Sequence, residues 1–252
     1  MLPASIARAL KRAGLAYRGA IAIGPAQGLR FDPGPSNSAY AYGDNELPVQ
    51  RALAERLKPG GVFYDVGANV GFLTVLGARL VGPSGIVYAF EPVPTNAGYV
   101  RRNAEANHFA HVKVVEKAVS NRSGPRVLNL ARYSGGAALD SVEAPPDADG
   151  TLQVDVVTID DAVGRHGMRP PSVVKIDVEG AELEVLEGMS AVTHQHRPVI
   201  IAEFDAGEAA EAARKQAACE QWLRSRGYRV DELPDSYPGG TWFVRHIVAT
   251  PT

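Results

Sequence analysis

The sequence of 252 residues is poor in cysteine, in net charge and in long apolar runs. Its single cysteine, Cys219, excludes an intramolecular disulfide and any metal site built from several cysteines. The formal net charge of -2 lacks the basic excess that is typical of nucleic-acid binding. No stretch approaches the roughly 18 apolar residues of a membrane-spanning helix. We therefore expect a cytoplasmic protein with no nucleic-acid partner and no stable membrane anchor.

Hydrophobic residues make up 45% of the chain, which is enough for a folded core. Residues 1–60 predict an N-terminal extension with a helix, a short hairpin and a second helix, whose candidate N-caps are Asp44 and Asn45. In residues 61–252, continuous apolar strands alternate with helices, as in a parallel sheet covered on both faces. The last two strands are separated by a Pro/Gly turn and should pair antiparallel. The fold class is therefore α/β, with about seven strands in a doubly wound sheet.

The most informative segment reads VFYDVGANVGFLT. An apolar strand ends near Asp65, and Gly67, Asn69 and Gly71 then alternate before a helix. Glycines at such a turn let the backbone approach a ligand and turn sharply. Glu91 ends the next strand, where a carboxylate suits the two hydroxyls of a ribose. Strand, glycine turn, helix and acid together predict a nucleoside-binding unit.

Two observations distinguish between nucleoside ligands. The dinucleotide pattern GxGxxG finds only Gly67, whereas the pattern DxGxGxG is matched everywhere except at Asn69. Asp65, at the strand end, would repel a pyrophosphate and attract a cation. S-adenosylmethionine carries a sulfonium and an α-ammonium, so it is the predicted cofactor. An NAD-dependent oxidoreductase is the alternative.

The motifs DVGANVGFLT, FEPVPTN and KIDVEGAE, with Glu46 in a preceding GDNE turn, resemble the FkbM-type family of S-adenosylmethionine-dependent methyltransferases. The resemblance covers most of residues 40–250, and an asparagine at position 69 is usual in this family. It implies a Rossmann-like class I methyltransferase domain over 61–252, with a seven-stranded sheet ordered 3-2-1-4-5-7-6 and an antiparallel last strand. It also implies O-methylation of a hydroxyl on a small molecule or natural product, such as a sugar, a polyketide-like compound or a peptide.

The same resemblance assigns the residues that contact the cofactor. They are Asp65, Gly67, Asn69 and Gly71 around the methionine, Glu91 at the ribose hydroxyls, Pro92 beside the adenine, and Ala118, whose backbone meets the adenine edge.

Two carboxylates are candidate catalytic residues. Asp177 follows the apolar strand VVKI, so we expect it at the edge where open α/β sheets bind ligands. There it either takes a proton from the acceptor hydroxyl or orients the sulfonium. Glu203 is the matching acid of the fifth strand, and Glu179 is explained equally well as a cap of the next helix. We expect no obligatory metal, with a divalent ion on Asp177 and Glu179 as the alternative.

Other features have simpler interpretations. His194 and His196 are expected in a solvated loop, and Trp242 and Phe243 in the core. Residues 133–136 form a flexible tract that is a candidate cover for the substrate.

Two functions compete with the methylation of a small molecule. Enzymes that methylate a base amine resemble one another in an Asn/Asp-Pro-Pro-aromatic tetrad at the fourth strand, where this chain reads Asp177-Val178-Glu179-Gly180. A non-catalytic scaffold with the same fold is the second rival, and the intact cofactor motif disfavours it. The acceptor and the oligomeric state stay open at this stage.

Overall fold

The structure is a computed structural model that describes residues 19–34, 36–37, 40, 42–132, 136–237 and 242–252. The helix expected at the start of the chain lies outside these residues, as do residues 133–135 of the expected substrate cover. The described α-helices are α1 (Leu47–Arg56), α2 (Phe72–Val81), α3 (Pro94–Ala106), α4 (Ile159–Gly164), α5 (Glu182–Glu187), α6 (Ser190–His196) and α7 (Ala209–Arg224). The described strands are β1 (Gly19–Ala20), β2 (Arg30–Phe31), β3 (Val62–Val66), β4 (Ile86–Phe90), β5 (Val112–Val115), β6 (Ala118–Val119), β7 (Gly124–Ala131), β8 (Ala138–Leu139), β9 (Ala148–Val157), β10 (Val173–Ile176), β11 (Val199–Ala206), β12 (Tyr228–Glu232) and β13 (Phe243–Pro251).

The main sheet has seven strands in the order β12-β13-β11-β10-β3-β4-β5. The neighbours from β11 to β5 pair in parallel, while β13 pairs antiparallel with both β11 and β12. When the seven strands are numbered along the chain and the sheet is read from β5 to β12, this order is 3-2-1-4-5-7-6. The α/β class, the strand order and the antiparallel last strand are therefore confirmed.

Apolar runs place the central strands inside the molecule. Every residue of β3 and β10 is buried, as in strands covered by helices on both faces. Side chains alternate along a strand, so Tyr64 packs with Ile176 and Phe204 in one core cluster, while Phe63 packs with Leu76 in another. The carboxyl ends of the parallel strands share one edge, where the turns that follow them meet.

A second sheet, with four strands in the order β6-β9-β7-β8, lies between β5 and α4 in the sequence. The apolar run VKVVEKAV predicts one strand, but the structure divides it into β5 of the main sheet and β6 of the second sheet. The division follows from a tight turn, in which the Lys117 N–H donates a hydrogen bond to the Val115 carbonyl (2.8 Å).

Two predictions of local structure were wrong. The N-cap position of helix α1 is occupied by Glu46, whose backbone is left-handed (φ 47°). Neither Asp44 nor Asn45 is therefore its N-cap. His194 and His196 lie in the last turn of α6, because the chain stays helical up to Arg197, whose left-handed backbone (φ 47°) ends the helix.

The prediction that Trp242 and Phe243 are core residues was also wrong. They are 45% and 43% exposed, because Trp242 precedes β13 and Phe243 is its first residue, opposite the last residue of β11 at the edge of the sheet. No helix in the described part of the chain is long and apolar enough to cross a membrane.

Candidate functional site

The turn between β3 and α2 brings backbone against backbone. Gly67 (φ +80°) and Gly71 (φ +90°) occupy the left-handed region that favours glycine. A Cβ at Gly67 would lie 1.7 Å from the backbone oxygen of Asp177, so the turn passes directly against the end of β10. Asn69 has φ 50°, which asparagine tolerates better than most residues. The glycine and asparagine of the motif are therefore requirements of this backbone path.

Hydrogen bonds to the Glu91 carboxylate connect the turn to the end of β4. Its Oε2 accepts a hydrogen bond from the Asn69 N–H (2.8 Å) and its Oε1 accepts one from the Val93 N–H (2.9 Å). Burial raises the pKa of Glu91 to about 8, against the opposing effect of these two donors and of the Asn96 side chain. A carboxylate oxygen has more than one acceptor site, so both oxygens can still receive ligand hydroxyls.

A cavity of about 770 Å³ opens at the carboxyl edge of the main sheet. Its volume is within the range of small-molecule sites. It connects the glycine turn, the ends of β10 and β11, and the second sheet, so predicted cofactor and catalytic residues share one space. The predicted residues on its wall are Gly67, Asn69, Glu91, Pro92, Ala118, Asp177 and Glu203.

Apolar side chains of the second sheet form one wall of this cavity. Leu128 and Leu139 are cross-strand partners and share a buried cluster with Ala118. Val93, two residues after Glu91, packs against that cluster, which places the apolar wall next to the carboxylate. An apolar wall beside a polar anchor suits a planar base joined to a ribose.

Asp65 and Gly71 lie behind the turn rather than on the wall of the large cavity. Asp65 is buried, accepts a hydrogen bond from the Thr74 hydroxyl, and lines a smaller cavity of about 30 Å³. Gly71 precedes α2, and a Cβ there would lie 3.1 Å from the Val100 Cα of α3. The four motif residues are thus divided into two that face the large cavity and two that support the turn.

Two polar pairs lie beyond the turn. The Nζ of Lys175 is 2.5 Å from Oδ2 of Asp177, and Nε2 of His246 is 2.7 Å from Oε2 of Glu203. Glu203 and His246 meet because they are direct partners in the antiparallel β11–β13 pair. Of the lysines and arginines in the described residues, only Lys175 is buried.

These surroundings shift the ionisation of both pairs. Burial, followed by the charge of Asp177, raises the pKa of Glu203 well above its usual range, and burial lowers the pKa of His246. Burial alone would lower the pKa of Lys175, but Asp177 and Glu46 outweigh it and the pKa is raised. The site thus combines a charged Lys175 with a Glu203 that holds a proton at a pH where ordinary glutamates are ionised.

The rim of the cavity carries a second acidic pair. Glu179 has a left-handed backbone (φ 54°) and lies close to Asp205, which accepts a hydrogen bond from Trp242 Nε1 (2.7 Å). Burial, and then Asp205, raise the pKa of Glu179 well above its usual range. Glu182, not Glu179, bonds at the start of α5, where it accepts from the Gly180 N–H (2.8 Å). Glu179 therefore faces the cavity rather than the helix end.

Among the described residues, Glu46, Glu203 and His246 each offer one possible metal-ligand atom, and these atoms lie within 4.8 Å of one another. Two carboxylates and an imidazole suit a divalent cation. Nε2 of His246 and Oε2 of Glu203 already hydrogen-bond each other (2.7 Å), so two possible ligand atoms of this cluster have a partner. Asp177, where the alternative metal site was expected, is instead paired with Lys175.

Several residues of the site are not predicted from the sequence. Lys175 and His246 had a detectable signal, because each interrupts an apolar strand, where a charged or polar side chain must find buried partners. Tyr237 had none: its hydroxyl accepts a hydrogen bond from Asn45 (3.1 Å) and donates to Glu46 (3.4 Å), residues far away in the sequence.

Comparison with known proteins identifies the family of this chain. The sequence profile of the methyltransferase FkbM domain matches residues 65–230. The 31-O-demethyl-FK506 methyltransferase FkbM of Streptomyces tacrolimicus is 29% identical over 174 residues, which are 58% of this chain and 66% of that protein. Hexuronic acid methyltransferase AglP of Haloferax volcanii is 28% identical over 173 residues, 64% of this chain and 63% of that protein. The alignments therefore span just under two thirds of both relatives' lengths.

A solved structure shares the fold. Fibrillarin of Aeropyrum pernix, with natively bound S-adenosylmethionine, aligns with 80% of this chain and 74% of its own, at a TM-score of 0.51 and 12% identity. At that identity the likeness shows the fold alone, whereas the family profile covers more than half of this chain. The chain belongs to the methyltransferase FkbM family, and as a methyltransferase of this family it has S-adenosylmethionine as its cofactor.

Proposed function

We propose that this methyltransferase transfers its methyl group to a hydroxyl of a small molecule. The observation that carries the proposal is the continuous cavity of about 770 Å³, which joins Gly67, Asn69 and Glu91 to Asp177 and Glu203. One end has groups that can bind a nucleoside, and the other has carboxylates that can accept or donate a proton. A single space with both chemistries is what transfer from a cofactor to a bound acceptor requires.

The residues fit the cofactor along its length. The free acceptor sites of Glu91 suit the ribose hydroxyls, and Pro92 and Ala118 line the apolar part that suits the adenine. Gly67 and Asn69 leave space beside the turn for the methionine. Bound there, S-adenosylmethionine supplies a methyl group on a positively charged sulfur.

Glu203 is the proposed general base. The acceptor oxygen forms a bond to the methyl carbon as the carbon–sulfur bond breaks, and the hydroxyl proton passes to a Glu203 carboxylate oxygen. His246 holds the other side of Glu203 and positions it. Asp177, paired with Lys175, supplies negative charge toward the cofactor's cationic end.

The relatives' names support a small acceptor. They refer to 31-O-demethyl-FK506 and to a hexuronic acid. We extend this to a natural product, such as a sugar, a polyketide-like compound or a peptide. A nucleic acid has less support, because the cavity wall carries Glu179, Asp205 and Glu211, which would repel a polyanion. With S-adenosylmethionine as cofactor, the NAD-dependent alternative loses its basis.

We also propose that the reaction takes place in the cytoplasm and that residues 61–252 form the catalytic unit. The cytoplasm is supported by the single cysteine, Cys219, which is buried and suits a reducing compartment. The catalytic unit is supported by the family match, which begins at residue 65. Cell fractionation with antibody detection tests the location.

The function is tested with methyl-labelled S-adenosylmethionine and a panel of small hydroxyl compounds. The expected result is S-adenosylhomocysteine together with a product heavier by one methyl group. The same acceptor with that hydroxyl already methylated is the matched control, and it should not react. Label transferred to RNA or to an amine, with no hydroxyl compound accepting it, would contradict the proposal.

The Glu91→Ala variant should weaken cofactor binding by roughly 1.5–3 kcal/mol, the scale of hydrogen bonds to a charged group. The same change frees the N–H groups of Asn69 and Val93, so the turn loosens as well. Calorimetry with S-adenosylhomocysteine measures the loss. Glu116→Ala is the control, because that glutamate pairs with Arg101 at the surface. Equal affinity in both variants would remove Glu91 from the site.

Removal of metal ions should leave the activity intact. The Glu46, Glu203 and His246 cluster already contains a hydrogen bond between its last two members. Activity is measured after dialysis against EDTA and again after addition of magnesium or manganese. A rate that disappears with EDTA and returns with either ion would show that the cluster is a metal site.

A further inference from the structure

Glu46 has no part in the proposed function, yet its position is unusually constrained. It is 5% exposed and its backbone is left-handed (φ 47°). Burial, and then the charge of Glu203, raise the pKa of Glu46 to about 7. A left-handed backbone and a buried carboxyl both cost free energy, and such costs concentrate at functional sites.

One oxygen of Glu46 has no hydrogen-bond partner among the described residues. Its Oε1 accepts a hydrogen bond from the Tyr237 hydroxyl, whereas its Oε2 is buried without one. In the part of the chain that the structure describes, the Oδ1 of Asn69 is also buried without a partner, although Nδ2 of the same amide donates to Ser36 (3.4 Å). Buried acceptors normally have donors, so two free oxygens at one site point to a ligand that supplies them.

Glu46 and Asn69 line both cavities. The smaller one, of about 30 Å³, is also lined by Asp65, Gly67 and Asp177, and three of these five residues were expected at the methionine end of the cofactor. Glu46, Asn69, Gly67 and Asp177 lie on the wall of the large cavity too, so the small cavity extends it there. Its volume suits one group of the size of water or ammonium.

The charges around the small cavity favour a cation. Glu46, Asp65 and Asp177 line it, and Lys175 is the lysine that lines it with them. His246 adds little positive charge, since burial lowers its pKa. Buried carboxylates need a compensating charge or a proton, and a single ammonium does not balance three of them.

We propose that Glu46, together with the Asn69 side-chain oxygen, binds the α-ammonium of the cofactor's methionine end. An ammonium has three N–H donors and one positive charge, so it serves both free oxygens and reduces the charge imbalance. A water molecule would serve the oxygens without the charge. The inference rests on the proposed placement of the methionine beside Gly67 and Asn69, and it does not depend on the acceptor.

Calorimetry with two ligands tests the contact. The first is S-adenosylhomocysteine, and the second is its deamino analogue, which keeps the nucleoside, the sulfur and the carboxylate but lacks the amino group. The wild-type protein should bind the first about 10- to 100-fold more tightly, as for a hydrogen bond between charged groups. Glu46→Gln should bind both about equally, because it weakens only the ligand that has an ammonium. Glu46→Asp, which keeps the charge, should retain part of the preference.

Glu182→Gln is the matched control. Glu182 is also buried with a pKa near 7, but it is bonded to the Gly180 N–H and lines neither cavity. That variant should keep the full preference for the amino group. Each titration is run with and without EDTA, and a preference that appears only without EDTA would assign the site to a metal ion and overturn the proposal.

Two further outcomes would overturn it. One is equal weakening of both ligands by Glu46→Gln, which is the sign of a structural role, and the other is a wild-type protein with no preference. Glu91→Ala separates this contact from the cofactor placement, since it should weaken both ligands alike. If it changes neither while the Glu46 effect persists, the ribose placement fails and the ammonium contact stands.

Discussion

Replacement of Gly67 by valine is expected to abolish the native fold, and cofactor binding with it. The new Cβ would lie 1.7 Å from the Asp177 carbonyl oxygen, far inside any contact distance. Valine also disfavours the backbone at φ +80°. β3 and β10 are central, paired strands, so neither can move away without breaking the pairing of Val66 with Ile176. We expect a loss of more than about 4 kcal/mol, a large part of the stability of a typical domain.

Thermal unfolding followed by circular dichroism measures this effect. Gly67→Ala is the smallest version of the change and should be nearly as harmful, because the clash involves the Cβ itself. Gly98→Ala in α3 is the control: its Cβ would meet only the Arg102 side chain at 3.5 Å, so we expect unchanged or slightly raised stability. A Gly67→Val protein that melts at the wild-type temperature would show that the turn can pass elsewhere.

Gly67 shows how much of the site can be predicted from the sequence. The local pattern predicts a glycine turn, but it explains the glycine by the approach of a ligand. In the structure the reason is the neighbouring strand, because β10 follows β3 by more than 100 residues in the chain yet pairs with it. Such a contact depends on strand order, and only the family resemblance supplied that order. The position of the glycine turn, the fold class and the ligand can therefore be predicted from the sequence. The contact that requires a glycine at position 67 cannot.

The candidate site shows the same division. Asp177 could be placed at the sheet edge because it follows an apolar parallel strand, and the cavity wall includes it. Its partner Lys175 and the pairing of Glu203 with His246 depend on which side chains share a face and on the β11–β13 register. Trp242 shows the converse error, because its hydrophobicity predicts burial whatever its position in the sheet. Side-chain type is read from the sequence, but register is not.

Glu203→Gln is expected to lower the turnover number by about 10²–10⁴, the usual contribution of a general base. Cofactor affinity should change little, since the proposed contacts of Glu203 are with the acceptor and His246. Asp177→Asn should do the opposite, weakening the cofactor more than it lowers the rate at saturation. Calorimetry and saturation kinetics on both variants separate these roles. If Asp177→Asn alone lost turnover at full cofactor occupancy, Asp177 and not Glu203 would be the base.

The pH dependence gives an independent test of Glu203. A base works only when ionised, and the pKa of Glu203 is raised well above its usual range, first by burial and then by the charges of Asp177, Asp205 and Glu182. The rate should therefore rise with pH through that raised pKa, and Glu203→Gln should remove this limb. Lys175 opposes the shift by favouring the ionised form.

Asp177→Asn should move the same limb toward lower pH. The change removes the negative charge that most raises the pKa of Glu203 after burial, and it leaves the Lys175 ammonium unpaired and free to lower that pKa further. Both effects have the same sign, so the direction does not depend on their relative sizes. An unpaired buried ammonium also destabilises the fold, so the profile is measured below the melting temperature of the variant. If the limb stays in place in Asp177→Asn, the group that titrates in the rate is not Glu203, because loss of the Asp177 charge must shift the pKa of Glu203.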